Sequence, residues 1–111
     1  MSLLIQLEFT AHPGKDAEFV RLARALAAAA AAEPDTLRYQ WFVASAPGHY
    51  AILEEYVDAD AAEAHNARQA PLLRELFTVA ELVSAAFYGE LNAYLRDWIA
   101  GRDGIAVHTP L

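Results

Sequence analysis

A chain of 111 residues, 56% hydrophobic and 21% charged, carries enough apolar content for one packed domain and too much for a disordered segment. A formal net charge of −7 leaves no basic stripe for nucleic acid or for a membrane surface, and the lack of cysteine excludes disulfides, thiolate catalysis and iron–sulfur or thiolate metal sites. The opening MSLLIQLEFTAH has no basic n-region and is interrupted by Gln6 and Glu8, so it does not read as a signal peptide; no apolar run approaches the ~20 residues that span a bilayer. A soluble cytoplasmic protein with one domain over residues 1–111 is expected, and the surplus of apolar residues points to a subunit interface.

Residues 3–10 alternate, with Leu3, Ile5, Leu7 and Phe9 on one side, which predicts a strand that His12-Pro13-Gly14 breaks. Residues 15–32 predict a helix whose stripe is Phe19, Leu22, Ala23, Leu26 and Ala30; Pro34 ends it by pushing Glu33 out of the helical region. Residues 36–44 predict a strand with Leu37, Tyr39, Trp41 and Val43 on one face. The turn SAPG joins it to a third strand at 49–57, with Tyr50, Ile52, Glu54 and Tyr56 together. Asp60 with Glu63 fits the start of a helix over about 60–67. Pro71 fits the first turn of another over about 69–78, with a break that would expose backbone near His65, Asn66 and Arg68. Residues 81–89 predict a fourth strand rather than a helical extension, with Val83, Ala85 and Phe87 on one side. A helix follows over 90–100, stopped by Gly101, and a short strand is expected around 105–109.

The order β-α-β-β-α-β is the split βαβ pattern of a ferredoxin-like α+β fold: a four-stranded antiparallel sheet with helices on one face, plus an extra C-terminal helix and tail. The uncovered face keeps apolar residues (Leu4 or Leu3, Phe42 or Trp41, Leu53, Val57), which predicts face-to-face homodimerisation.

Three segments, HPGKDAEFVRLARAL, AAAEPDTLRYQWFVA and HYAILEEYVDADAAEAHNA, taken in order and spacing, resemble the antibiotic biosynthesis monooxygenase family over residues 3–89. The resemblance implies a dimeric α/β barrel with a hydrophobic cavity in each protomer. It also implies a range of activities: cofactor-independent oxidation of phenols and quinols, haem degradation, isomerisation of a small sugar-derived compound, or no chemistry. Residues 90–111 fit the pattern less well.

A cofactor-free oxygenase works on an electron-rich phenol or quinol that loses a proton and then reduces oxygen; the protein supplies a base, hydrogen bonds for the anion and a dry pocket. His65 is the best base by residue type. Asn66 could hold the anion, although neighbouring helical residues diverge by about 100°. The alternative for His65 is a buried histidine bonded to a strand carbonyl or to Glu54. Glu54, on an apolar sheet face, must be paired or have a raised pKa, with His65, Arg38 or Arg74 as partners. Tyr39, Trp41 and Tyr56 are candidate pocket walls, and Arg68 and Arg74 candidate contacts to an anionic substrate. No cofactor and no metal are expected, because the four histidines are scattered without an i, i+4 pair. Haem degradation fits less well, since Gln6 is the nearest polar residue to the first-strand asparagine of those relatives. Three functions stay open: a monooxygenase of a small aromatic or quinol substrate with O2, a non-catalytic ligand-binding module, and an isomerase or lyase on a small carbonyl compound.

Overall fold

A computed structural model describes residues 1–111. The alternating segment forms β1 (Leu3–Ala11), with Leu3, Ile5, Phe9 and Ala11 buried. Helix α1 (Asp16–Ala30) buries Phe19, Leu22, Ala23, Leu26 and Ala30, the stripe expected from its spacing. Strands β2 (Thr36–Val43) and β3 (His49–Tyr56) form the antiparallel hairpin. Helices α2 (Ala59–Arg68) and α3 (Ala70–Val79) follow, then β4 (Ala80–Tyr88), α4 (Ala93–Ile99) and β5 (Ile105–His108). No helix is long and apolar enough to cross a membrane.

The sheet order is β2-β3-β1-β4-β5, with β1 central and antiparallel to both β3 and β4. This is the ferredoxin-like α+β arrangement with one correction: five strands, not four. Strand β5 pairs parallel to β4 because α4 carries the chain back to the starting end before it re-enters the sheet. It occupies an edge whose N–H and C=O groups would otherwise be unpaired. Gly104 makes the entry possible: its φ is +73°, and a Cβ there would lie 2.8 Å from the Val83 carbonyl oxygen.

Two bulges correct the face assignments. Thr36 pairs with Tyr56 and Arg38 with Glu55, so Leu37 is extra and 54% exposed instead of sharing a face with Tyr39. Glu8 pairs with Ser84 and Phe9 with Leu82, so Val83 is extra and leaves the side of Ala85 and Phe87. A strict period of two cannot register an inserted residue. The register also settles that Leu4 and Phe42, rather than Leu3 and Trp41, lie on the open sheet face. Polar pairs share that face: Ser84 donates to Glu8 at 2.6 Å, and Thr10 meets His49 at 3.2 Å.

Helix α2 is capped by Asp58, not Asp60: Asp58 Oδ1 accepts from the Ala61 N–H at 2.8 Å. Asp60 and Glu63 instead both accept from Asn92 Nδ2, at 2.9 and 3.0 Å, which ties α2 to the start of α4. Asp58→Ala is therefore expected to cost about 1 kcal/mol and lower the melting temperature by roughly 4–8 °C, followed by circular dichroism; Asp60→Ala should move it less.

The core divides in two. Phe9, Phe19, Leu22, Leu26, Ile52 and Leu76 form one part with α1 and α3; Leu3, Ile5, Tyr56, Ala62, Phe87 and Leu95 form the other with α2 and α4. Leu7 packs against both.

Candidate functional site

Between the two halves of the core lies a cavity of about 410 Å³. Ile5, Leu7 and Phe9 of β1 line it together with Tyr39 and Trp41 of β2 and Ile52, Glu54 and Tyr56 of β3. The helices contribute His65 and Asn66 from α2, Arg74 and Phe77 from α3, and Tyr94 and Trp98 from α4, with Arg102 just beyond it. Sixteen of its twenty-one lining residues are hydrophobic, so the few polar groups stand out.

His65 is one of them. Ala61, Ala62 and His65 are buried on one face of α2, and the two small alanines let that face lie close to the sheet. The imidazole is 1% exposed and sits 5.0 Å from the Tyr39 ring and 5.5 Å from the Tyr56 ring, centroid to centroid. Its Nδ1 lies 2.6 Å from Glu33 Oε1. Glu33 also accepts from Thr36 Oγ1 at 2.9 Å, Arg68 Nε at 2.9 Å and Gln69 Nε2 at 3.3 Å. Burial pushes the Glu33 carboxyl up, but these four bonds outweigh it and hold its pKa at about 2. An ionised carboxylate only accepts, so Nδ1 carries the proton. In the neutral ring Nε2 is then the acceptor, and it is the nitrogen left for the cavity.

The partner of His65 is thus Glu33, not a strand carbonyl and not Glu54. The reason is the turn after α1: Glu33 N–H bonds Ala30 O at 3.0 Å and Thr36 N–H bonds Glu33 O at 3.2 Å, which folds the carboxylate inward beneath α2. Glu54, expected to pair with His65, Arg38 or Arg74, instead accepts from the Tyr56 hydroxyl, two residues along the same strand face. Burial raises its pKa, with the Tyr56 bond and the nearby His65 opposing the shift. Burial also raises the pKa of Tyr39, helped by the charges of Glu54 and Glu33, and that of Tyr56. The indole N–H of Trp41 is buried without an acceptor, a cost of about 1–3 kcal/mol that a ligand oxygen could relieve.

Tyr39, Trp41, Glu54, Tyr56, His65, Asn66 and Arg74 all line the one cavity. Arg68 does not; its guanidinium is held on Glu33 at 2.9 Å. Nor does the α2–α3 junction expose backbone, because Gln69 N–H bonds His65 O at 2.9 Å and Leu73 N–H bonds Gln69 O at 3.0 Å. His65 and Asn66 both reach the cavity without a helix end because α4 wraps beside α2, where Asn66 Nδ2 donates to Tyr94 Oη at 3.2 Å. Glu33, Tyr94, Trp98 and Arg102 were not legible as site residues. The one signal for Glu33 was a carboxylate immediately before a helix-ending proline.

A mostly antiparallel sheet with helices on one face, enclosing an apolar cavity with a carboxylate-bound histidine in its wall, defines a ferredoxin-like α+β protein with an internal chamber. Residues 2–71 match the family model for antibiotic biosynthesis monooxygenase, and the chain belongs to that family. Among solved structures it is similar to MupZ from Pseudomonas fluorescens (TM-score 0.81, 18% identity, covering 99% of this chain and 90% of that one). It is also similar to SnoaB, a cofactor-independent oxygenase from Streptomyces nogalater (TM-score 0.70, 19% identity, 83% and 95%), and to an antibiotic biosynthesis monooxygenase (TM-score 0.67, 24% identity, 78% and 93%). No curated protein matches the sequence.

Proposed function

We propose that this protein is a monooxygenase that oxidises a small phenolic or quinol substrate with O2 in the cavity between sheet and helices. The observation that carries the reading is the Glu33–His65 pair: an ionised carboxylate that leaves Nε2 as a base in the wall of a largely apolar chamber. The phenol gives its proton to Nε2, and the imidazolium so formed is stabilised by Glu33. The ring anion supplies an electron to O2, the radical pair joins through a new carbon–oxygen bond, and the resulting peroxide anion takes the proton back from the imidazolium to become a hydroperoxide. Loss of the hydrogen at that carbon, with cleavage of the O–O bond, expels water and leaves a quinone carbonyl. One phenol and one O2 become one quinone and one water, so the electrons come from the substrate and no external reductant enters. Asn66 and the Tyr94 hydroxyl are the neutral hydrogen-bonding groups that hold the oxygen anions, and Tyr39, Trp41 and Tyr56 are walls for the ring. Membership of the family and the likeness to SnoaB support the same reading.

We further propose that the protein works in the cytoplasm as a homodimer joined through the open sheet face, around Phe42 and Leu53; a solution mass near twice 12.2 kDa is the expected result.

The test is aerobic incubation with a panel of naphthols and quinols, following oxygen uptake and quinone absorbance. Consumption of O2 and substrate in equal amounts is expected. Turnover that continues without oxygen would replace the monooxygenase with an isomerase or lyase. Binding without turnover anywhere in the panel would leave a ligand-binding module.

A further inference from the structure

We infer that the substrate of this site carries a carboxylate as well as its aromatic ring, and that Arg74 and Arg102 hold that carboxylate at the cavity mouth. The inference rests on the small-aromatic reading above and adds the charge of the ligand.

Two of the chain's eight cationic side chains line this one cavity, on a protein with fifteen acidic residues. Both are exposed, so they stand where the cavity meets solvent. The protein's ion pairs join Arg21 to Glu18 and Glu75, and Glu33 to His65 and Arg68; neither Arg74 nor Arg102 has a carboxylate partner. Five of the seven arginines have no carboxylate partner, but of these only Arg74 and Arg102 line the apolar chamber, where together they form an anion site. Arg102 is also held in place. Its Nε donates to the Trp98 carbonyl at 2.8 Å, and its Cζ lies 4.1 Å over the Trp98 ring. That leaves its two terminal nitrogens as a planar fork suited to a carboxylate. The one carboxyl in the cavity wall, Glu54, is committed to Tyr56 and does not neutralise them. Away from this mouth the net charge of −7 repels anions, so the two arginines also mark the direction of approach. Arg74 and Arg102 both lie beyond the family match at residues 2–71.

The test is calorimetric titration without oxygen, using 6-hydroxy-2-naphthoate and its methyl ester. The acid is expected to bind about tenfold tighter than the ester at low salt, with the preference fading towards about 0.5 M NaCl. In the Arg74→Gln/Arg102→Gln double variant the ester should bind as before and the preference should vanish. A melting temperature within a few degrees of the unmodified protein is expected, since both side chains are exposed and only the Arg102–Trp98 contacts are lost. Equal affinity for acid and ester in the unmodified protein, or a preference that survives both substitutions, overturns the carboxylate site and leaves the aromatic cavity standing. If neither compound binds, the carboxylate site and the aromatic reading fall together.

Discussion

Replacing His65 with glutamine is expected to lower oxygen uptake on a phenolic substrate by about 10²–10⁴-fold with little change in KM, the size of effect a positioned general base supplies. Glu33 is ionised and occupies Nδ1, so Nε2 is the lone pair available to take the substrate proton. Glutamine keeps an N–H that can reach Glu33 but offers no basic nitrogen, so the carboxylate stays paired while the chemistry is removed. Glu33→Gln should act in the same direction through the ring's tautomer: an amide can accept from or donate to Nδ1, and Nε2 is no longer held as the acceptor. The readout that separates base from scaffold is the pH profile. The acidic limb expected of the unmodified protein should disappear in His65→Gln, and adding imidazole should restore part of the rate. Unchanged turnover in His65→Gln would remove the imidazole from the mechanism.

Stability in acid should report the same carboxylate from the other side. Glu33 has its pKa lowered from 4.5 to about 2, the folded value being the depressed one. The folded state therefore favours the ionised form, and the contribution to stability is fully present above about pH 4.5. It declines as pH falls through that window and is gone below about pH 2. That lowering corresponds to about 3 kcal/mol. In denaturant unfolding at pH 7, Glu33→Gln should lose about that amount, and the gap between the two proteins should narrow steadily from pH 4.5 downwards. A gap that stays constant over this range would mean that packing, not charge, explains the loss.

Of the groups in the site, Glu33 has the weakest signature in the sequence. His65 announced itself as an imidazole mid-helix, but its partner lies 32 residues earlier, at a turn that reads only as a helix stop. Glu54 was recognisable as a carboxylate on an apolar strand face. Its partner was not, because the candidates were cations, and the bond went to the tyrosine hydroxyl two residues away.

What the sequence determined by itself was local and periodic. The stripe of α1, the alternation of β1, the SAPG hairpin and the order of elements follow from spacing of 3.6 or 2 residues, breakers and turn residues, all of which act within a few positions. Those signals were enough for a ferredoxin-like layout and for gathering Tyr39, Trp41, Glu54, Tyr56 and His65 near one another. Tertiary structure decided the rest: the bulges at Leu37 and Val83, the parallel docking of β5, the placement of α4 and Arg102 at the cavity mouth, and the Glu33–His65 bond. Each of these depends on which groups meet once the chain has closed on itself. Hydrogen-bond donors and acceptors are chosen by distance in space, and no local period encodes a contact between residues tens of positions apart.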